Sequence, residues 1–440
     1  MIDLAGAADG RGLNRPGCSV LLSVDPEQWP AVNLLAIGSR AEIAAHPAAN
    51  QSGVERVDAT DSVAIPGLVN VHTHLDLTHI GPQPFEPGQS FVDWVDMIRA
   101  GRVTEAEAIT ASVRDGAARS LAGGVVAVGD IAGVFGLASL KALVGTRLSG
   151  LSGIELFGIG NRQDKVLDML DRLAVEADDL TRASKGLGWT WQPHAPYSVG
   201  PRLYEKCARW CSELGMPMMT HLSETPEECR FIASGDGLQR DMLERLGAWD
   251  ETCAEPLGRG ESPVGYLRRV LSDATTIAAH VNHASDADLD VLASTRTTVA
   301  YCPRASAYFR QHEAFGPHRY RDMLDRGINV ALGTDSVVNL PVEQSDRLST
   351  LDDARLIVRR DGIDSELALG MATWRGAAAL GLNPDAFSFG AGHADRWLQG
   401  VALVKIGPDR SGFPADWVMS SERPAELVRP IGMDFESFVQ

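Results

Sequence analysis

Four short stretches of this 440-residue sequence place chemistry-bearing side chains at the ends of apolar runs. The first is Pro66-Gly67-Leu68-Val69-Asn70-Val71-His72-Thr73-His74. Residues two apart on a strand project to one face, so both imidazoles point the same way. Two such nitrogens can chelate one metal ion. The second stretch ends in His221-Leu222-Ser223-Glu224, with a carboxylate three residues after the imidazole. Glu224 could lean over a metal held by His221 and move a proton, or it could cap the helix opened by Ser223-Glu224-Thr225-Pro226. Glu227 and Glu228 can serve as caps in its place. The third stretch ends in His280-Val281-Asn282-His283 and the fourth in Gly333-Thr334-Asp335-Ser336. A lone histidine is ordinarily a satisfied core residue and a lone Thr-Asp ordinarily a cap. Four strand ends of this kind on one chain point to a single shared site.

The elements that would bring them together are legible in outline. Eight strand-like runs occur at 65–71, 124–128, 151–159, 188–192, 216–220, 275–279, 297–301 and 328–332. Helical patterns at 105–122, 164–177, 201–214, 287–294 and 320–325 fall between them. This alternation predicts an α/β fold, a (β/α)8 TIM barrel over 64–382 whose strand ends converge on one face. A doubly wound open sheet is the alternative. Strand-prone segments at 18–24, 32–37 and 54–63, a short helix at 39–45, and strands at 397–406 and 417–419 predict a small β-sandwich domain built from 1–63 and 383–440. Long connections around 81–88 and 258–261 read equally as functional loops or as surface insertions.

Composition narrows the function. With 40 basic and 58 acidic residues the formal net charge is −18, which argues against nucleic acid or an anionic membrane as partner. Six cysteines, none in a Cys-x-x-Cys pair, exclude a disulfide scaffold. No basic start followed by an apolar run is present, and no apolar stretch suits a membrane span, so the cytoplasm is the expected compartment. The deaminase pattern His-x-Glu with Pro-Cys-x-x-Cys is absent, and His312-Glu313 lacks zincin spacing. No phosphate-binding glycine loop follows a strand.

The segments 66–74 and 221–224, with His280 and 333–336, resemble the amidohydrolase superfamily. Within it they are similar to the aminohydrolase branch that holds cytosine, guanine and S-adenosylhomocysteine deaminases and the triazine chlorohydrolases. The resemblance covers roughly residues 60–380. It implies that His72, His74, His221 and Asp335 ligate one divalent metal, usually zinc and sometimes iron. It implies further that Glu224 is the proton shuttle, and that His280, with Asp335, orients the attacking water. His194 matches a position that touches substrate in that branch. It stands where binuclear members carry a carbamylated lysine, and no lysine lies between Lys185 and Lys206, which favours one metal. Arg304 and Ser306, after the seventh run, are expected to hold polar groups of a substrate, and Trp94 to line the pocket. His318 reads as a helix-start residue.

The activity implied is hydrolytic deamination of an amino-substituted N-heterocycle or adenosine-like nucleoside by water activated at the metal. The Phe91-x-x-Trp94 segment resembles relatives whose substrate is of the aminodeoxyfutalosine type. Dechlorination of a triazine-like ring is the alternative, and a non-catalytic binding barrel the third reading. A homodimer is expected from the resemblance.

Overall fold

The computed structural model describes residues 1–133, 137–184, 186–390 and 395–433. Sixteen strands run along these residues. The first five are β1 (Ile2–Ala8), β2 (Asn14–Pro16), β3 (Cys18–Ser23), β4 (Val32–Ser39) and β5 (Val57–Pro66). Eight follow in the middle of the chain: β6 (Leu68–Thr73), β7 (Val125–Ala132), β8 (Ser149–Leu156), β9 (Leu187–Pro193), β10 (Met218–Leu222), β11 (Thr276–His280), β12 (Thr297–Tyr301) and β13 (Asn329–Leu332). The last three are β14 (Arg396–Leu398), β15 (Val401–Lys405) and β16 (Ala425–Leu427).

Strands β6 to β9 pair in parallel order, and so do β10 to β13. The two sets meet at both seams. At one, the His221 N–H donates to the His194 carbonyl over 2.8 Å. At the other, Thr73 and Asp335 form a parallel bridge. There the Asp335 N–H donates to His72 O at 3.0 Å and the His74 N–H to Asp335 O at 2.7 Å. Asn70 reinforces this seam by giving its amide N–H to Thr334 Oγ1 and accepting the Thr334 N–H. The result is the closed eight-stranded arrangement expected of a (β/α)8 barrel, with near-continuous burial along each strand because both faces are covered.

The outer layer follows from the sequence in the same way. Helices Ala106–Ala122, Ala138–Val144, Leu170–Thr181, Pro201–Leu214, Pro263–Asp273, Asp286–Ser294, Tyr320–Asp325 and Thr350–Asp361 follow β6 to β13 in turn. Pro201 and Pro263 open their helices, where a missing N–H costs nothing, and Ser262 and Ser285 cap theirs. The patterns at 105–122, 201–214, 287–294 and 320–325 coincide with these helices to within a residue. The pattern at 164–177 is broken into Arg162–Leu167 and Leu170–Thr181.

The chain ends build one eight-stranded sheet in the order β14-β4-β3-β1-β5-β15-β16, with β2 added to β1. The pairing is a single continuous ladder; it does not divide into two separately paired sheets. Its core gathers Ile2, Leu4, Val20, Leu34, Phe389 and Leu398. The helix expected at 39–45 forms as Arg40–Ala44 under a Ser39–Glu42 capping box. The strand expected at 417–419 does not form. Trp417, Val418 and Met419 lie in helix Pro414–Ser420, because Pro414 opens it and Asp416 accepts the Phe413 N–H. Residues 391–394 and 434–440 of the C-terminal piece lie outside the described residues. No helix among the described residues is long and apolar enough to cross a membrane.

Candidate active site and metal centre

Strand β6 delivers His72 and His74 to the barrel mouth, β10 delivers His221, β11 ends on His280, and the turn after β13 delivers Asp335. All five are buried. The His74 and His221 Nε2 atoms face each other at 3.2 Å. Asp335 Oδ1 lies 3.6 Å from both His72 Nε2 and His74 Nε2. His72, His74 and His221 bring their ligand atoms within 4.8 Å of one another, and so do His72, His280 and Asp335.

The fit to a cation can be tested on the donor atoms themselves. Buried Nε2 of His72 and of His280 have no hydrogen-bond partner among the described residues. Burial pushes the His72 and His221 imidazoles down to about 3, and His74 and His280 well below the usual histidine range. Neighbouring imidazoles add to this at His74, His221 and His280. Each neutral ring has one nitrogen lone pair to offer toward a common point beside a carboxylate. Such a set suits one divalent cation. The second nitrogen of His221 is used otherwise: Nδ1 lies 3.0 Å from His194 O and 3.2 Å from Gln192 Nε2, which orients the ring.

The backbone is strained where it turns these groups inward. Ser223, His280, Val281 and Asp335 adopt positive φ values of 52°, 70°, 46° and 64°. Left-handed conformations at non-glycine residues persist where surrounding structure over-determines them, and they cluster at functional sites. His318 supports one of these turns. It precedes helix Tyr320–Asp325 as expected, yet its partly buried ring stacks on Tyr301 at 3.9 Å, and its Nε2 donates to His280 O at 2.9 Å.

Glu224 Oε1 lies 3.5 Å from His280 Nε2. Burial, with the carboxylates of Asp335, Glu228 and Glu227 adding to it, holds Glu224 well above the usual carboxyl range. A carboxyl with its proton affinity raised in this way suits taking up a proton and passing it on.

A cavity of about 820 Å³ opens from these groups, lined by His74, His194, His221, Glu224 and Asp335 at its base. Its walls are Phe91, Trp94 and Ile98 from the long connection after β6, Phe157 and Ile159 after β8, and Met242, Leu243 and Leu246 after β10. The connections after β6 and β10 thus supply cavity wall through helices Phe91–Gly101 and Leu238–Arg245 and the residues just after them, while residues 81–88 and 258–261 are not among the lining. Trp94 stacks on Phe91 and meets Phe309 edge-on. His194 also lines the cavity; Nδ1 lies 2.7 Å from Ser198 Oγ, and the ring stacks on Phe157 at 4.4 Å.

Arg304 and Ser306 are not among the residues lining this cavity. The Arg304 guanidinium is turned away and occupied: Nε and Nη2 both donate to Asp353 Oδ2, at 3.0 and 2.9 Å, and Nη2 donates to Ser349 O. The structure therefore places Arg304 on a buried carboxylate and outside the cavity lining, apart from the other residues expected at the site. Ser306 lies inside the short helix Pro303–Tyr308.

Two cavity residues went unnoticed in the sequence. Arg102 lies 3.3 Å from Asp76 Oδ2 and 3.7 Å from Glu155 Oε2, so a cation sits between two buried carboxylates beside the histidines. Glu155 had a signal, since it interrupts the apolar run Leu151-Ser152-Gly153-Ile154-Glu155-Leu156. Arg102 had none, because it follows an ordinary amphipathic helix, Phe91–Gly101.

Known proteins share much of this chain. A 5-methylthioadenosine/S-adenosylhomocysteine deaminase of Haloarcula marismortui is 27% identical over 353 residues, covering 77% of this chain and 73% of the relative. An aminodeoxyfutalosine deaminase of Deinococcus radiodurans is 30% identical over 288 residues, covering 63% of this chain and 65% of the relative. Among solved structures, the aminofutalosine deaminase of Helicobacter pylori with methylthio-coformycin superposes with a TM-score of 0.73 at 18% identity, covering 97% of each chain. The atrazine chlorohydrolase of Arthrobacter aurescens with zinc superposes with a TM-score of 0.70 at 19% identity, covering 100% of this chain and 98% of that one. At such identities the structural likeness speaks to fold alone. The sequence pattern of the amidohydrolase family matches residues 63–393, from the end of β5 past the last barrel helix, and this chain belongs to that family.

Proposed function

We propose that this chain is a metal-dependent hydrolytic deaminase of an amino-substituted N-heterocycle carried on an adenosine-like nucleoside, with an aminodeoxyfutalosine-type compound as the leading substrate. One observation carries the reading. Four barrel strand ends bring unpartnered imidazole nitrogens, a carboxylate and the Glu224 carboxyl to the base of one cavity.

In this reading His72, His74, His221 and Asp335 hold one divalent cation, zinc, with iron as the alternative that metal analysis separates. When bound, the ion supplies Lewis acidity, which makes water a competent nucleophile near neutral pH. His280 and Asp335 orient that water toward the sp² carbon bearing the amino group. Glu224 takes the water's proton and delivers it to the neighbouring ring nitrogen. The proton of the newly added hydroxyl then passes by way of Glu224 to the amino nitrogen, ammonia departs with the C–N bond's electron pair, and the ring carbon is left as a carbonyl. His194 and Trp94 contact the heterocycle, while Arg304 and Ser306 are assigned no contact. The barrel over 64–382 carries this chemistry, and the terminal segments 1–63 and 383–440 form an accessory unit.

The relatives named for adenosine-type substrates support the nucleoside class. The cavity supports it too, since about 820 Å³ with aromatic walls exceeds what a bare ring fills. Dechlorination of a triazine-like ring is less well served: chloride leaves without a proton, whereas an amine needs the one that Glu224 carries. The test is ammonia release from aminopurine, aminopyrimidine and adenosine-type compounds, on protein whose metal content is counted. Release with about one metal per chain is expected. Chloride release from chlorotriazines, without ammonia from any amine and with metal present, would overturn the reading.

A further inference from the structure

The chain leaves β10 at Leu222 and enters helix Pro226–Ser234 after only three intervening residues. Ser223 and Glu224 lie in this gap, outside regular structure, and Ser223 has φ of 52°. Nevertheless every main-chain polar group of the pair is held. The Ser223 N–H donates to Glu228 Oε1 at 2.9 Å, and the Glu224 N–H to Glu228 Oε2 at 2.8 Å. The Glu224 carbonyl accepts from Asn282 Nδ2 at 3.0 Å. The Ser223 carbonyl accepts the His283 N–H at 3.4 Å, and the Ser223 hydroxyl donates to His283 O at 2.6 Å.

Two of these bonds come from one side chain, and its placement is unusual. Thr225 caps the helix, so Glu228 stands at the third helical position. A carboxylate there ordinarily returns to the N–H of the capping residue itself, and Glu228 keeps a weaker interaction with the Thr225 main chain. The two short bonds of Glu228 reach further back, to the two residues before the cap. Glu228 is fully buried, and burying a carboxylate is unfavourable unless its acceptors are used. Both oxygens are used on the segment that carries Glu224, whose own carboxyl faces His280.

We infer that Glu228 is a positioning residue: its carboxylate clamps the main chain of Ser223 and Glu224 and so aims the Glu224 side chain at the reacting atoms. This rests on the reading of Glu224 as the proton carrier. Misplacement of a catalytic group by about 1 Å can lower turnover about 10²-fold.

Glu228→Gln keeps the shape but turns an N–H₂ group toward one of the two main-chain N–H groups. The expected result is a fall in kcat of about 10- to 100-fold, with KM changed less than about threefold and metal content unchanged. The readout that a merely structural role would not move is a double-mutant cycle. In a Glu224→Gln background, Glu228→Gln should lower kcat no further than about twofold. Glu228→Asp, which keeps the charge and withdraws it by one methylene, gives the same cycle if the Gln variant does not fold. A full multiplicative loss in the Glu224→Gln background would overturn the inference, as would wild-type kcat in both Glu228 variants. Wild-type kcat in Glu224→Gln would overturn the proton-carrier reading itself, and the clamp with it.

Discussion

At the scale of single residues, burial keeps the imidazoles neutral and raises the proton affinity of one carboxyl. Burial removes water that would stabilise imidazolium, and the crowded rings repel one another's charge. Free lone pairs are therefore available at any physiological pH. Two predictions belong here. Glu224→Gln should bind metal at the wild-type ratio while kcat falls about 10²- to 10⁴-fold, the usual worth of a positioned proton carrier; metal analysis beside steady-state kinetics checks both halves. His72→Ala and Asp335→Ala should each lose the metal, and chelation of the wild type should abolish turnover until zinc is restored. Full occupancy in both variants would contradict the ligand set.

At the scale of elements, close backbone approach and buried carboxylates place the side chains. Gly333 is one such approach: a Cβ there would come within 2.9 Å of both His72 Cβ and Cys302 Sγ. Gly333→Ala should push the turn that bears Asp335 away from β6 and weaken metal affinity about 10- to 100-fold, the range seen when groups behind a ligand are disturbed; competition with a chelator measures it. On β7, Asp130 accepts the Leu75 N–H just after His74 and the Ser152 hydroxyl. Burial, reinforced by Asp76, raises its carboxyl to about 7. The folded state then holds a proton that the unfolded state releases near pH 4. By linkage this group makes the folded protein less stable as pH rises from about 4 to about 7. Asp130→Asn should flatten that slope, and denaturant unfolding of the two proteins across this range would reveal it. An unchanged slope would remove Asp130 as its source.

At the scale of the whole molecule, segments far apart in the chain are tied by a few buried polar groups. Asp9, on the N-terminal segment, accepts the Ser388 hydroxyl and the Phe389 N–H from near the other end of the chain. Arg304 and Asp353 join the loop after β12 to helix Thr350–Asp361 through a buried pair. Removing one partner leaves the other charged and buried, so Arg304→Met should destabilise the fold by about 3–5 kcal/mol. Below its unfolding temperature the variant should keep wild-type KM, since this arginine faces away from the cavity. A large rise in KM without loss of stability would return Arg304 to the substrate.

How much was legible beforehand depends on the range of the interaction. His72, His74, His221, His280, Glu224 and Asp335 could be read because each follows an apolar run, and β-branched runs alternating with amphipathic segments dictate which ends share a face. The strand-and-helix order of the barrel is local patterning of the same kind. What lay beyond the sequence was pairing between distant segments. Arg304 could have faced the cavity or Asp353, and only packing decides which buried partner a guanidinium finds. Arg102 reached the site from a helix with no mark of function, and Glu228 looked like a cap until its carboxylate was seen reaching past the cap. The short stretch Trp417-Val418-Met419 is β-prone by composition but helical in place, since a proline start and an aspartate cap outweigh the propensity of three residues. Sequence determined which side chains could do the chemistry and where the strands end. Tertiary structure decided how the groups are aimed, because aim depends on hydrogen bonds that side chains find only once packed, from the four- and five-residue reach of Glu228 to the 264 residues between Asn70 and Thr334.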